Sequence, residues 1–364
     1  MGLLRVILAL SVALSHFGES RWFNLAGGIA SVQAFYMISG FYMATILTEK
    51  YDPRTDLGIF YTNRFLRIYS IYFVSLLISL AAYTVIYQSG KGGWLHYVIN
   101  SIDRVNTLGQ IWLAFTSLFI VGQETTLFLE IRDGALAFTP DGPSGDVPVW
   151  FFLPVPQAWS ISLELMFYAL VPFLIRNATR TLWAIVVATL VLRIGIYAAG
   201  YDHDPWLSRF FPVELGLFVA GMCARRLYDA YAHRVTRRSL LMIGGTFLVV
   251  TCFVRYLMMH FLIQQVIWPY FAFAVVAVPC LFALTRQSKR DQFIGSFSYP
   301  LYLVHWAVLA FYDAFAQQWG LPPAGSPIRV AILVLVSFAL SWIIVVSVEV
   351  PLDRYRQRRV AALA

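Results

Sequence analysis

Ten apolar stretches alternate with short polar segments along this chain. A helix needs about 20 apolar residues to cross the hydrocarbon core of a bilayer, and a strand needs only about ten. Backbone groups inside lipid must be hydrogen-bonded within the protein, so stretches of helical length are expected to be helices. They cover residues 3–17, 28–48, 66–88, 157–175, 181–200, 210–227, 239–261, 265–285, 294–316 and 328–348. The sequence therefore predicts an all-α, polytopic membrane helix bundle of about ten transmembrane helices.

The low charge content argues against a soluble protein. Charged residues make up 13% of the chain, whereas a soluble domain carries about a quarter. The net charge of +8 is not expected to bind nucleic acid, because the basic residues lie in short loops between apolar stretches. Cys223, Cys252 and Cys280 lie inside apolar stretches without metal-ligand spacing, so we expect neither disulfides nor a metal site.

The distribution of basic residues predicts which loops face the cytoplasm. If both termini are cytoplasmic, 19 of the 27 Lys and Arg residues lie inside and six outside, while Arg193 and Arg255 lie within apolar stretches. This asymmetry follows the positive-inside rule. It makes residues 89–156 an extracytoplasmic segment, with a non-spanning helix near 109–129 on the outer surface. We predict that residues 1–364 form a single membrane domain.

Two ionisable residues stand in the first apolar stretch. Arg5 and His16 are eleven residues apart, which on a helix places them within about 20° of one face and ~16 Å apart along the axis. Ionisable groups at membrane depth are costly and commonly functional. The alternative is an arginine that reaches the membrane surface and a histidine satisfied by a neighbour.

Other polar residues are expected at two depths in the membrane, one in its outer half and one near its inner face. Six ionisable side chains are expected at a similar depth in the outer half of the bilayer, which favours one polar cavity over unrelated ion pairs. Arg64 and Arg67, one helical turn apart near the inner face, could bind phosphate oxygens or simply be positive-inside charges. The six residues of the outer layer are His16, Glu164, Arg193, Glu214, Arg255 and His305.

A series of motifs resembles the acyltransferase 3 family of integral-membrane acyltransferases. The family begins with a basic residue, ten residues and a histidine, and continues with short aromatic, serine and glycine motifs in a set order. In chain order the matching residues are Arg5 and His16; Phe35–Phe41; Arg64, Arg67 and Ile68; Trp159–Ile161, Glu164, Phe167 and Tyr168; Phe210–Pro212, Gly216 and Gly221; Gly295, Ser298, Tyr299, Leu301–Leu303 and His305; and Glu349, Pro351 and Arg354.

The resemblance implies an O-acyltransferase of the bacterial cytoplasmic (inner) membrane. Its donor would be a cytoplasmic acyl-CoA, most simply acetyl-CoA, and its acceptor a hydroxyl of an extracytoplasmic glycan such as an exopolysaccharide or its lipid-linked repeat unit. Membrane lipids would surround the bundle. Some family members carry an additional extracytoplasmic hydrolase-like domain. The chain ends soon after the tenth stretch, so we expect the membrane domain or a separate partner to complete transfer.

The same resemblance suggests roles for individual residues. His16 would act as general base or form a covalent acyl-histidine. Glu164 would orient His16 or hold the acceptor, and Glu19 is a second candidate for the orienting role. An arginine would stabilise the oxyanion. The phosphate-binding residues would be Arg5, Arg64 and Arg67; the oxyanion candidates Arg193 and Arg255; and the pocket residues Ser39, Trp159, Tyr302 and His305. The alternatives are a secondary transporter or glycan flippase, which also needs polar residues at depth, and a non-catalytic assembly subunit.

Overall fold

The computed structural model describes residues 1–18, 25–142, 147–231, 234–260 and 267–361. These residues are mostly helical. The helices are α1 (Gly2–Phe17), α2 (Gly28–Glu49), α3 (Leu57–Gln88), α4 (Gly93–Ser101), α5 (Thr107–Phe119), α6 (Trp159–Leu174), α7 (Thr179–Ala198), α8 (Phe211–Tyr231), α9 (Arg237–His260), α10 (Ile267–Thr285), α11 (Lys289–Ser296), α12 (Ser298–Phe315), α13 (Pro327–Ile344) and α14 (Val350–Ala361). Two short strands, β1 (Leu129–Arg132) and β2 (Ala135–Phe138), form a hairpin.

The predicted class, a polytopic membrane helix bundle, is confirmed. Within the described residues, eight helical segments are long and apolar enough to cross a membrane. Each of the ten predicted stretches is mostly helical over its described part. The two predicted stretches that are not among these eight segments are α1 and α8. Helix α1 has only 16 residues, and α8 carries Glu214, Arg225 and Arg226. The eight segments are 28–49, 57–88, 156–174, 179–198, 237–259, 267–285, 289–315 and 327–361.

Two helix boundaries differ from the sequence-based prediction. Helix α3 begins at Leu57, nine residues before the apolar stretch, so Arg64 and Arg67 lie well inside the helix and not at its start. Hydropathy reveals only the part of a helix that lipid covers, whereas the helix continues into the polar loop. Helix α5 ends at Phe119 because Ile120 adopts a positive φ of 65°, and a 3₁₀ turn follows.

Close backbone contact joins α2 to α8. A Cβ placed on Gly40 would lie 1.8 Å from the carbonyl oxygen of Phe218, and one on Gly221 would lie 2.0 Å from that of Met37. The two helices therefore touch through glycine on both sides, as small residues allow in membrane bundles. This contact fixes α2, which carries Ser39, against the rest of the core.

Helix α1 is held at both of its ends. At its start, the carboxylate of Asp291 accepts from the backbone N–H of Gly2 at 2.6 Å and of Leu3 at 3.0 Å, which satisfies donors that a helix leaves free. At its end, Arg329 donates to the carbonyl oxygen of Phe17 and pairs with Asp313 at 2.6 Å. Arg5 and His16 therefore lie near opposite ends of a helix whose position is fixed.

The segment 89–156 contains α4, α5 and the hairpin. The hairpin turns at Asp133 and Gly134, both with positive φ, as a two-residue turn requires. The indole of Trp206, in the loop before α8, donates to the carbonyl of Pro140 at 3.0 Å. The 13-residue α5 is short for a membrane crossing. That this segment lies outside the cytoplasm stays a prediction.

Candidate active site

A cavity of about 110 Å³ lies among α1, α2, α3, α6 and α12. A cavity of this size has room for ordered water or a small polar group. Its polar lining comes from Arg5, Tyr36, Ser39, Tyr42, Arg67, Ser160, Glu164, Tyr168, Ser298, Tyr299 and Tyr302.

Glu164 is the acidic group of this cavity. Its Oε1 atom accepts from the Ser39 hydroxyl on α2 and from the Tyr168 hydroxyl on α6, both at 2.6 Å. Tyr168 follows Glu164 by four residues, which places both side chains on one helix face. Arg5 and Arg67 line the same cavity. Glu164 is therefore a fixed carboxylate that faces two guanidinium groups.

Three arginines gather at the end of the cavity near the N-terminus. Arg5 and Arg67 line it, and Arg64 lies one turn before Arg67 on α3, only 7% exposed. The Nε and Nη1 atoms of Arg64 are buried without a hydrogen-bond partner in the described part of the chain. Buried donors without partners are costly, and a cluster of such donors is suited to an anion. The predicted phosphate-binding residues are thus neighbours in space.

A hydrogen-bonded pair, Tyr302 and Ser160, also lines the cavity. The Tyr302 hydroxyl donates to the carbonyl oxygen of Gln157 at 2.6 Å and contacts the Ser160 hydroxyl at 2.7 Å. Because the Tyr302 proton is used on the carbonyl, Ser160 is the donor of the second bond. The Gln157 amide in turn donates to the carbonyl of Leu303 at 2.6 Å. These bonds tie α6 to α12.

His16 does not line the cavity. Its ring stacks on His305, with centroids 5.4 Å apart and an interplanar angle of 23°, and meets Trp306 edge-on at 4.9 Å. His16 itself is exposed, whereas His305 is fully buried. Nδ1 of His305 lies 2.8 Å from the carbonyl oxygen of Tyr302. The structure therefore places His16 beside His305 and not beside Glu164.

The prediction that six ionisable side chains share one cavity was wrong. Glu164 alone of the six lines the cavity described above. Arg193 instead pairs with the buried Glu214 at 2.6 Å, and Arg255 is exposed with its backbone N–H bonded to Leu25. A shared depth does not bring side chains together, because it does not determine which way each helix face points. Glu19, the other candidate orienting residue, lies outside the described residues.

Of the predicted pocket residues, Ser39 and Tyr302 line the cavity, and His305 lies behind Tyr302. Trp159 does not line it; its ring instead lies 4.1 Å from the guanidinium carbon of Arg209. In the sequence, Arg209 is a basic residue of a loop between two apolar stretches, and no motif marks it as part of the site. Tyr168 was detectable from its four-residue spacing to Glu164.

The fold and the site together define a multi-pass membrane protein with a charged internal cavity. The sequence profile of the acyltransferase 3 family, described as an acyltransferase domain, matches residues 1–346. This chain belongs to that family. No solved structure matches it.

Several named proteins are similar over most of the chain. Nodulation protein 10 of Rhizobium leguminosarum bv. viciae is 24% identical and covers 99% of this chain and 94% of its own length. O-acetyltransferase OatA of Staphylococcus aureus (strain NCTC 8325 / PS 47) is 21% identical over 88% of this chain. A protein of Staphylococcus aureus (strain COL), which is named as an O-acetyltransferase on a provisional basis, is 22% identical over 88% of this chain. The chain spans about half the length of these staphylococcal relatives.

Proposed function

We propose that this protein is an O-acyltransferase that moves an acyl group, most simply acetyl, from acyl-CoA to a hydroxyl of an extracytoplasmic glycan. The acceptor would be an exopolysaccharide or its lipid-linked repeat unit, and the membrane the bacterial cytoplasmic membrane. The observation that carries this proposal is the buried guanidinium of Arg64, with unpaired donors, beside Arg5 and Arg67 at one end of a small polar cavity. The O-acetyltransferase names of two relatives support the same reaction.

The arginine cluster would bind the phosphates of CoA. Guanidinium groups bind phosphate oxygens through two parallel hydrogen bonds, and phosphate would supply the acceptors that Arg64 lacks. We infer that the phosphates stay at the arginines while the acyl end reaches toward Tyr302.

The two ends of the site would bind different substrates. The arginines lie at one end, and His16 is exposed at the other, so the glycan would approach from the exposed side of His16. The Ser160–Tyr302 pair, joined at 2.7 Å, lies between the cavity and His305. The thioester would pass this pair to reach His16.

The proposed chemistry is a direct transfer with His16 as the base. The Nε2 or Nδ1 atom of His16 takes the proton of the acceptor hydroxyl while the oxygen attacks the thioester carbon. The carbonyl oxygen becomes an oxyanion, the carbon–sulfur bond then breaks, and the CoA thiolate takes the proton back from His16. In the covalent alternative, a ring nitrogen of His16 attacks the thioester carbon, the carbon–sulfur bond breaks, and the CoA thiolate leaves with the proton of the other ring nitrogen. The acceptor hydroxyl oxygen then attacks the acyl-histidine, the carbon–nitrogen bond breaks, and the freed imidazole takes the hydroxyl proton.

The test is an assay of purified protein in lipid nanodiscs with radiolabelled acetyl-CoA and a polysaccharide acceptor. We expect CoA release and labelled polysaccharide from the wild type and neither from His16→Ala. His96→Ala, which removes an exposed histidine on α4, is the matched control and should retain activity. Proton-coupled uptake without CoA release would overturn the proposal in favour of a transporter. Unchanged transfer in His16→Ala would remove the proposed base.

A further inference from the structure

Arg209 is held on two sides by groups outside the cavity. It lies in the loop two residues before α8, and its guanidinium carbon is 4.1 Å from the Trp159 ring centroid. Its Nε atom lies 2.9 Å from each carboxylate oxygen of Asp204. A cation over an aromatic face and an ion pair through Nε together restrict both the plane and the direction of a guanidinium.

These two contacts leave part of the guanidinium free. In the described part of the chain, neither Nη1 nor Nη2 of Arg209 has a hydrogen-bond partner, and the side chain is 18% exposed. An arginine whose only role was the ion pair would commonly direct Nη atoms at the carboxylate as well, in a bidentate bond. Here Nε alone serves Asp204, so the terminal amino groups are available to a ligand.

The position of Arg209 connects the two ends of the site. Trp159, on which it lies, directly precedes Ser160, the hydroxyl that bonds Tyr302. Arg209 also lies within electrostatic range of both His16 and Tyr302. The two arginines predicted to stabilise the oxyanion have other environments, because Arg193 pairs with Glu214 and Arg255 is exposed.

We infer that Arg209 is a catalytic residue of the transfer, and that its free Nη1 and Nη2 groups donate hydrogen bonds to the oxyanion that forms on the thioester carbonyl oxygen. This inference rests on the proposed function. The hydroxyl oxygen attacks the carbonyl carbon, His16 takes the hydroxyl proton, and the carbonyl oxygen becomes negative beside Arg209. When the carbon–sulfur bond breaks, the oxygen returns to a carbonyl and the thiolate takes the proton from His16.

The two supporting contacts explain why this group suits the task. A donor that is already oriented stabilises developing charge without reorganising during the reaction. Asp204 and Trp159 hold the guanidinium before any substrate is present. Lysine offers a single point charge on a flexible stem and cannot supply the same pair of donors. Asp204 is accordingly a positioning residue, and Arg209 the group that meets the substrate.

The experiment compares Arg209→Gln, Arg209→Lys and Arg209→Ala in the nanodisc transfer assay. We expect kcat to fall by about 10²–10³-fold in each, with KM for acetyl-CoA unchanged, because the donor phosphates bind at the other end. Added methylguanidinium should restore part of kcat in Arg209→Ala. Arg132→Gln, which removes an exposed arginine with its own carboxylate partner Glu130, is the matched control and should match the wild type in both constants.

The outcomes separate this inference from the proposed function. Absence of transfer in the wild type would refute the proposed function, whatever the variants do. Wild-type transfer together with a normal kcat in folded Arg209→Gln would overturn the role of Arg209. A rise in KM for acetyl-CoA without loss of kcat would also overturn it. If the glutamine variant fails to fold, folded Arg209→Lys with normal kcat would contradict the inference equally well.

Discussion

The rings of His16 and His305 stack with their centroids 5.4 Å apart. Nδ1 of His305 faces the carbonyl oxygen of Tyr302 at 2.8 Å, and because a carbonyl oxygen can only accept, Nδ1 carries the proton. Nε2 of His305 is then a buried lone pair without a partner in the described residues. His305 thus presents a neutral, fixed ring against which the exposed His16 is positioned.

The two histidines should differ in their effect on transfer. We expect His16→Gln to lower kcat by about 10²–10⁴-fold, the usual value of a general base. His305→Phe keeps a flat ring beside His16 and loses one hydrogen bond worth about 1 kcal/mol, so kcat should fall by about tenfold or less. Steady-state assays of both variants make the comparison. Equal losses would contradict this division of roles and indicate that both rings take part in proton transfer.

Replacement of Glu164 should separate its geometry from its charge. Glu164→Gln keeps an oxygen that can accept from Ser39 and Tyr168, whereas Glu164→Ala leaves both hydroxyls in the cavity without that partner. We expect the alanine variant to lose about 1–3 kcal/mol of stability and the glutamine variant to lose much less, as measured by thermal unfolding in detergent. Similar melting temperatures for the two variants would show that these hydrogen bonds contribute little.

Removal of Arg64 should leave the empty protein at least as stable as the wild type and should weaken its response to CoA. The guanidinium is buried with two unpaired nitrogen atoms, and replacing such a group by a hydrophobic side chain of similar size is often neutral or stabilising. We therefore expect Arg64→Met to melt at the same or a higher temperature than the wild type. CoA at 100 times its Kd should add about 2.7 kcal/mol to the wild type and much less to the variant.

The prediction for Arg64 is contradicted if CoA stabilises Arg64→Met as strongly as the wild type. Arg64 then does not bind the phosphates of CoA. Arg54→Met, an exposed arginine on the loop before α3, serves as the control and should respond to CoA normally. Titration at two salt concentrations adds a second check, since binding through exposed charges weakens as salt rises.

The contact between α2 and α8 should tolerate no added methyl group. A Cβ on Gly40 would lie 1.8 Å from the Phe218 carbonyl oxygen, so the helices would have to move apart. We expect Gly40→Ala to cost about 1–3 kcal/mol or more, seen as a lower melting temperature. Gly245, in α9, has no atom within 4 Å of such a Cβ, and Gly245→Ala should be neutral or stabilising. A neutral Gly40→Ala would show that the two helices adjust freely.

Glu124, in the 3₁₀ turn after α5, should make stability depend on pH. Burial raises the pKa of its carboxyl above the ordinary value, although a hydrogen bond with Ser162 opposes part of that shift. The folded state therefore favours the protonated form. The stability contributed by Glu124 is fully present below the pKa of the unfolded chain and is lost as pH rises through the raised folded pKa.

Thermal unfolding across this pH range provides the measurement. We expect the wild type to lose stability as pH rises through the raised pKa of Glu124, and Glu124→Gln to lose less because it has no carboxyl to ionise. Glu130→Gln, at the surface ion pair with Arg132, is the control and should follow the wild type. Parallel curves for the wild type and Glu124→Gln would rule out this carboxyl as the source of the pH dependence.

Sequence patterns predicted the elements far better than the contacts between them. The apolar stretches identified each predicted membrane helix because lipid demands long apolar runs. The spacing of Arg64 and Arg67 correctly placed them on one face, since helix geometry links residues three apart. By contrast, nothing local to Arg193 indicated that Glu214 is its partner, since that pairing depends on how α7 packs against α8.

For helix α1, the sequence predicts which residues share a face, and the tertiary structure decides what those residues contact. Hydropathy and helical periodicity alone determined that Arg5 and His16 lie on one stripe about 16 Å apart, with an arginine pair on another helix. Tertiary packing decided what each of them meets, because the rotation of a helix is set by its neighbours. Packing placed Arg5 in the cavity with Glu164 and His16 on the far side of Tyr302 against His305. It also brought Arg209 onto Trp159 from a distant loop.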